Sequence, residues 1–251
     1  INVSIVDLVW GMGYVFQVLI FLFSWMEERN IYIWETNLTG QELNKRIANL
    51  VLTVLVVVHG LRLSLYLCSR NLGHGEDKRY KAFRKKYGAK YWWFSYFQVF
   101  MLQLLINMLV CSHFRIFIRK DISISGFNSL VCAIGAVVTI LGTLIETLAD
   151  YQLKTFKSNP KNKGKILKTG LWGLSRHPNY FGEIVFFWGT FLFNCSVGQY
   201  HMFYPALLFS CLITFLSGVF ITEKQMKKVQ DYETEYKDYV QNTAKLIPFV
   251  W

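Results

Sequence analysis

Six long runs of apolar residues set the terms for this sequence. They cover about residues 3–25, 47–68, 92–114, 126–150, 179–198 and 202–222, each with few charges. A helix needs about 20 mostly apolar residues to cross the hydrocarbon core of a bilayer. Backbone in hydrocarbon must bond within its own segment or within a closed barrel. The alternation of polar and apolar positions that barrel strands require is absent over these lengths. The expected fold is therefore all-α, a polytopic transmembrane helical bundle with six spans and a single domain over residues 1–251. Charged residues make up only 17% of the chain, against roughly 25% in soluble domains. That deficit, with the apolar excess, excludes a disordered chain and disfavours an ordinary soluble enzyme.

The net charge is +11, and the positions of the cations explain it. Threading six spans puts residue 1, loops 69–91 and 153–178 and the tail 223–251 on one side, with 20 of the 27 Lys and Arg. The other side holds 6, and Arg62 lies within a span. Such a bias faces the basic loops to the cytoplasm or an equivalent compartment. The protein is thus expected to be integral to a membrane, with endoplasmic reticulum, mitochondrial inner membrane and bacterial inner membrane all open. The basic loops hold no nucleic-acid-binding motif, so no nucleic-acid partner is expected.

The tail 223–243 is polar, with Tyr232, Tyr236 and Tyr239 at helical spacing, and is expected to form a surface helix. The chain opens on Ile1, so a further segment is expected upstream: a few residues, a targeting segment or a helix. The five cysteines form no CxxC pair and read as small buried hydrophobes. Asn37-Leu-Thr39 and Asn194-Cys-Ser196 are glycosylation sequons on the less basic side.

Charges inside apolar runs are costly and face a cavity or a partner. Six ionisable residues fall in such places: Asp7, His59, Arg62, Glu146, Asp150 and Glu183. His59, Arg62 and Tyr66 share one helix face, and Arg70 lies a turn further on, before a stretch with glycines at 73 and 75. Glu146, Asp150 and Lys154 share another face, where Asp150 can accept hydrogen bonds from ligand hydroxyls. The densest segment runs from Thr169 to Glu183 and contains Ser-Arg176-His177-Pro-Asn179-Tyr180-Phe-Gly-Glu183. Pro178 favours helix initiation, and a helix N-terminus beside Arg176 and His177 suits an anion. Asn179 and Glu183, four apart, present an amide and a carboxylate to one ligand. The combination suits a phosphate-bearing soluble cofactor and a lipid-soluble substrate. His and Cys spacing offers no metal set, so none is expected, and GxGxxG, Walker, HExxH and GxSxG motifs are absent.

The run Gly170–Glu183 resembles the DUF1295 family, within the steroid 5α-reductase-like membrane superfamily. Four further blocks are similar: Ser4–Gly11, Gly60–Tyr66 continuing to Tyr80, Ala149–Leu153 and Leu246–Phe249. The resemblance implies a seven-helix reductase fold, with one helix ahead of the Ser4 block, and NADPH as cofactor. It implies hydride delivery to a conjugated C=C bond of a hydrophobic, sterol-like or enone substrate drawn from membrane lipid. Positions matching the family's nucleotide-holding residues are Arg62, Tyr66, Asp150, Asn179 and Glu183. Arg70, Lys154, Arg176, His177 and Tyr180 complete the expected cofactor-binding set. The proton donors of the steroid reductases, a Glu and a Tyr, are matched by Asp7 and His59, which differ in type from both.

Two other readings stand beside the reductase. One is a non-catalytic accessory subunit of a larger membrane complex, such as a mitochondrial respiratory complex, with partner membrane subunits. The other is an S-adenosylmethionine-dependent methyltransferase of the lipid or isoprenylcysteine type. Those enzymes share an RHPxYxG-type block and carry paired glutamates in the tail, where this chain has Thr222-Glu223-Lys224.

Overall fold

The computed structural model describes residues 6, 10–28, 40–71, 75–76, 78–120, 127–226 and 233–250. The helices are α1 (Trp10–Glu28), α2 (Gly40–Asn71), α3 (Lys78–Tyr87), α4 (Tyr91–Ser95), α5 (Leu102–Arg119), α6 (Ser129–Ser158), α7 (Leu171–Leu174), α8 (Pro178–Cys195), α9 (Tyr204–Cys211), α10 (Val219–Met226) and α11 (Glu233–Asn242). Short 3₁₀ and π turns join α3 to α4, α4 to α5, and α9 toward α10. No strand occurs among the described residues; a single bridge pairs Ser175 with Ala244.

Among the described residues, four helical runs are long and apolar enough to cross a membrane: Gly40–Asn71, Tyr80–Arg119, Ser129–Ser158 and Tyr200–Met226. They carry the apolar runs 47–68, 92–114, 126–150 and 202–222. The protein is an all-α, polytopic integral membrane protein. The runs expected at 3–25 and 179–198 are helical as α1 and α8, of 19 and 18 residues, but are not among the four. Gln17, Asn179 and Glu183, together with several Trp and Tyr, dilute their apolar character.

The chain forms two compact units, residues 1–129 with 196–199, and residues 130–195 with 200–251. In the first, α1 lies against α2 and α5. Gly11 and Gly60 let α1 and α2 touch backbone to backbone: a Cβ on Gly11 would lie 2.3 Å from Gly60 O. Close approach through small residues is the usual basis of helix association in lipid, where water supplies no drive. Polar contacts add to it. Gln17 Nε2 donates to Asn107 Oδ1 at 2.5 Å, and Asn107 Nδ2 donates to Trp10 O at 3.3 Å.

Helix α2 starts at Gly40, well before its apolar run, because Lys45 and Asn49 have partners there. Lys45 Nζ, buried, donates to Phe117 O at 2.5 Å, and Asn49 Nδ2 donates to Ile118 O at 3.2 Å. A cation thereby caps the last carbonyls of α5, where the helix dipole favours positive charge.

In the second unit, α6 and α8 cross antiparallel along a seam of small residues. A Cβ on Gly142 would meet Phe186 N at 2.4 Å, one on Gly182 would meet Glu146 N at 2.6 Å, and one on Gly189 would meet Thr139 N at 2.5 Å. Asn194, within α8, is fully buried, so its sequon is closed to glycosylation in the folded chain; Asn37 lies outside the described residues. All five cysteines are free; Cys111 and Cys132 are buried as expected, while Cys211 is exposed.

Candidate functional site

The second unit gathers its polar residues where α6, the 168–177 loop and the N-terminus of α8 meet. Trp172 Nε1 donates to Ala149 O at 3.0 Å, and Leu171 N donates to Gln152 Oε1 at 3.0 Å. These two bonds lay the loop against the end of α6. Gly170, at φ 63°, makes the turn, and a Cβ there would strike the Gln152 amide at 2.7 Å. Pro178 opens α8, as its fixed φ favours.

The next residue, Asn179, meets α6. Its Nδ2 donates to Asp150 Oδ1 at 3.4 Å, while its Oδ1 is buried with no hydrogen-bond partner among the described residues. Asp150, Glu146 and Glu183 are all buried, the last two brought to the α6–α8 seam by the contact at Gly182. Lys154, a turn beyond Asp150, is exposed.

The other half of the cluster is held by the C-terminal part of the chain. Arg176 is 8% exposed, and its Nε lies 3.3 Å from Glu223 Oε1. His177 Nε2 lies 3.0 Å from the same oxygen, and its ring stacks on Tyr180 with 5.6 Å between centroids. Tyr236 donates to Glu223 Oε2 at 2.7 Å, and Tyr239 donates to Trp172 O at 2.5 Å. Two further bonds complete the clasp: Arg176 N donates to Ala244 O at 2.9 Å, and the Ser175 hydroxyl donates to Leu246 O at 2.7 Å. Burial raises the pKa of both tyrosines above the ordinary value, helped at Tyr236 by the bond to Glu223. Arg176 Nη1 is buried with no hydrogen-bond partner among the described residues.

In the first unit, His59 is fully buried and stacks on Tyr14, 6.3 Å between centroids. Trp10 Nε1 donates to the Tyr14 hydroxyl at 2.5 Å. Arg62 is half-buried on the same helix. Arg70 lies over the Tyr66 ring at 5.8 Å and donates to Asn71 Oδ1 at 3.1 Å. Asp7 and Gly73 lie outside the described residues.

Of the expected site residues, the structure thus joins Asp150 to Asn179, Arg176 to His177, His177 to Tyr180, and Tyr66 to Arg70. Sequence reasoning missed Glu223, Tyr236 and Tyr239 as parts of this cluster. The signal available was a lone acid closing the last apolar run, ahead of a tail with tyrosines on one face. Among the described residues, no group of three or more His, Cys, Asp or Glu side chains can hold a metal ion.

The family described as protein of unknown function, DUF1295, matches residues 1–243. The chain belongs to the DUF1295 family. Stretches of it are also similar to other proteins. A 48-residue stretch is 44% identical to a probable O-methyltransferase of Ustilaginoidea virens, covering 19% of this chain and 17% of that protein. A 91-residue stretch is 31% identical to a delta(14)-sterol reductase of Arabidopsis thaliana, covering 32% of this chain and 24% of the relative. A 136-residue stretch is 23% identical to a delta(14)-sterol reductase of Mus musculus, covering 49% of this chain and 30% of the relative. The chain therefore spans less than a third of the length of each. No solved structure matches.

Proposed function

We propose that this DUF1295 protein is a membrane reductase that uses NADPH to reduce a C=C bond of a sterol-like or enone lipid. Similarity to two sterol reductases supports the reaction class. The observation that carries the cofactor assignment is the pair of buried, unpartnered atoms, Asn179 Oδ1 and Arg176 Nη1. A buried polar group without a partner is destabilising by about 1–3 kcal/mol. A ligand with a hydroxyl or amide donor for Asn179 and a phosphate acceptor for Arg176 relieves both, and a nucleotide has all of these groups.

Asp150, Lys154, Arg176, His177, Asn179, Tyr180 and Glu183 would hold it; Arg62 and Tyr66 match nucleotide-holding positions by resemblance alone, and Arg70 lies a turn beyond Tyr66. When bound, NADPH supplies the hydride. The chain's own part is to bind and orient, to exclude water, and to donate a proton to the oxygen of the developing enolate. Asp7 and His59 are assigned that donation.

The test is equilibrium binding of NADPH to the purified protein in detergent. Asn179→Ala should weaken it at least about fivefold, the value of roughly one lost hydrogen bond. Unchanged affinity would remove Asn179 from the cofactor site.

A methyltransferase is the second reading, favoured by the 44% identical stretch shared with an O-methyltransferase. Saturable binding of S-adenosylmethionine, with none of NADPH, would select it. Binding of neither would favour the accessory-subunit reading.

A further inference from the structure

The long helical run Tyr80–Arg119 has 40 residues. It is bent: Gly88, at φ 54°, turns the chain between α3 and α4, and Gln103 Nε2 donates to the Tyr80 hydroxyl at 3.3 Å, so α3 folds back beside the stretch that follows. The uncharged part begins at Tyr91, so α3 and its cations flank the start of an apolar run. The stretch 80–91 is amphipathic. Tyr80, Phe83, Tyr87 and Tyr91, at helical spacing, turn inward to a small cluster with Val99 and Phe100. Lys81, Lys85 and Lys86 of α3 and Lys90 of the turn that follows it are all exposed.

Arg84 is different, because it is engaged by Glu76 in a bidentate pair at 2.8 and 3.0 Å. None of the four lysines has such a pair among the described residues. In the residues that follow, the exposed side chains are aromatic: Trp92 is 78% exposed, Trp93 42%, Tyr96 54% and Phe97 60%. Trp and Tyr are enriched at the membrane interface. Flexible cations a few residues from such a group are within reach of lipid phosphates and carboxylates.

We propose that the exposed lysines of residues 81–90 form a docking surface for anionic phospholipid head groups, anchored by Trp92 and Trp93. Charge complementarity selects the occupant. A group of exposed, flexible ammonium groups suits mobile, laterally diffusing anions, and several such residues beside a span concentrate anionic lipid by attraction that salt screens. The docking holds α3 in the plane of the interface and fixes the depth of the helix that follows.

The experiment reconstitutes the full chain in phosphatidylcholine vesicles containing phosphatidylserine. It measures, with spin-labelled lipids, the preference of the protein's boundary for serine over choline head groups. The wild type should prefer the serine lipid by at least about twofold, and the preference should shrink as salt is raised. K81Q/K85Q/K86Q/K90Q should bring the ratio near one. K161Q/K163Q/K165Q, in another exposed basic loop, should leave it unchanged. If the quadruple variant does not fold, K81Q/K85Q and K86Q/K90Q are made separately, and each should lose part of the preference. No preference in the wild type overturns the proposal. So does a preference indifferent to salt, or one that survives the lysine changes or falls equally with the control loop.

Discussion

Glu223 Oε1 lies 3.0 Å from His177 Nε2 and 3.3 Å from Arg176 Nε, so one carboxylate holds two adjacent side chains of the loop that leads into α8. Breaking a buried ion pair from one side is destabilising by several kcal/mol, because the other charge is left uncompensated. Glu223→Gln keeps an acceptor and removes the charge, so a loss of about 1–3 kcal/mol is expected. A lower midpoint of thermal unfolding in detergent would register it. Adding Arg176→Gln should recover part of the loss, since the uncompensated guanidinium then disappears. Equal midpoints in wild type and Glu223→Gln would mean that the contact contributes nothing.

The tyrosines of α11 make the same clasp sensitive to alkali. Burial, then the bond to Glu223, raises Tyr236 above the ordinary value of 10.0. Burial also raises Tyr239, against the pull of Arg176. Because the folded value exceeds the unfolded one, the stabilisation is complete below about pH 10 and is lost as pH rises through the folded value. The tail should resist protease unchanged from neutral pH to about 10 and loosen above it. In Tyr236→Phe the bond to Glu223 is missing at every pH. That variant should be weaker by about 1 kcal/mol at neutral pH and show a smaller alkaline step. Superimposable pH profiles would separate the alkaline step from Tyr236.

The α6–α8 seam depends on the missing side chains of its glycines. A Cβ on Gly182 would lie 2.6 Å from Glu146 N and 2.8 Å from Gly142 O, both backbone atoms that cannot swing aside. Gly182→Ala must therefore part the helices, at about 1–3 kcal/mol. It also moves Glu183 and Asn179, so NADPH affinity should fall with stability. Gly40, at the start of α2, has no atom within 4 Å of a Cβ, so Gly40→Ala should change stability by less than about 0.5 kcal/mol. Thermal unfolding of the two variants side by side decides the matter; a Gly182→Ala protein as stable as Gly40→Ala would contradict the close crossing.

Helical membrane character was legible because hydrophobic length is a one-dimensional property of sequence, and 92–114 or 202–222 shows it without reference to any neighbour. Helix ends were less legible. Lys45 lies just outside the run 47–68, and only the carbonyl of Phe117, 72 residues on, explains why it belongs to the helix and is buried. Proximity in sequence exposed the Arg176–Glu183 block, whose members lie within three turns of one another. Glu223 stayed hidden for the opposite reason. Its partner His177 is 46 residues away, and nothing in the composition of a tail of mixed charge indicates which of its acids turns inward. Asp150 and Asn179 were picked out separately, each for its place at a helix end, but their hydrogen bond needed the Gly142–Gly182 contact to bring the helices together.

The departure from the steroid-reductase pattern at Asp7 and His59 yields the prediction that separates a working enzyme from a retired one. His59 is fully buried against the Tyr14 ring, so His59→Phe keeps an aromatic in that stack and removes only the ring nitrogens. If His59 donates a proton to the developing enolate, turnover should fall by about 10²–10⁴-fold, the range for one general acid. NADPH affinity should stay within about twofold, because only a transition-state interaction is lost. Asp7→Asn should behave the same way, and the double variant should be little worse than either alone if the two act as one unit. The measurement is consumption of NADPH with an enone lipid, beside equilibrium binding of the cofactor. Turnover retained in both single variants would move proton donation to other residues. NADPH binding without turnover in the wild type would leave the cofactor site intact and the chemistry gone, which is the expectation for an accessory subunit descended from an enzyme.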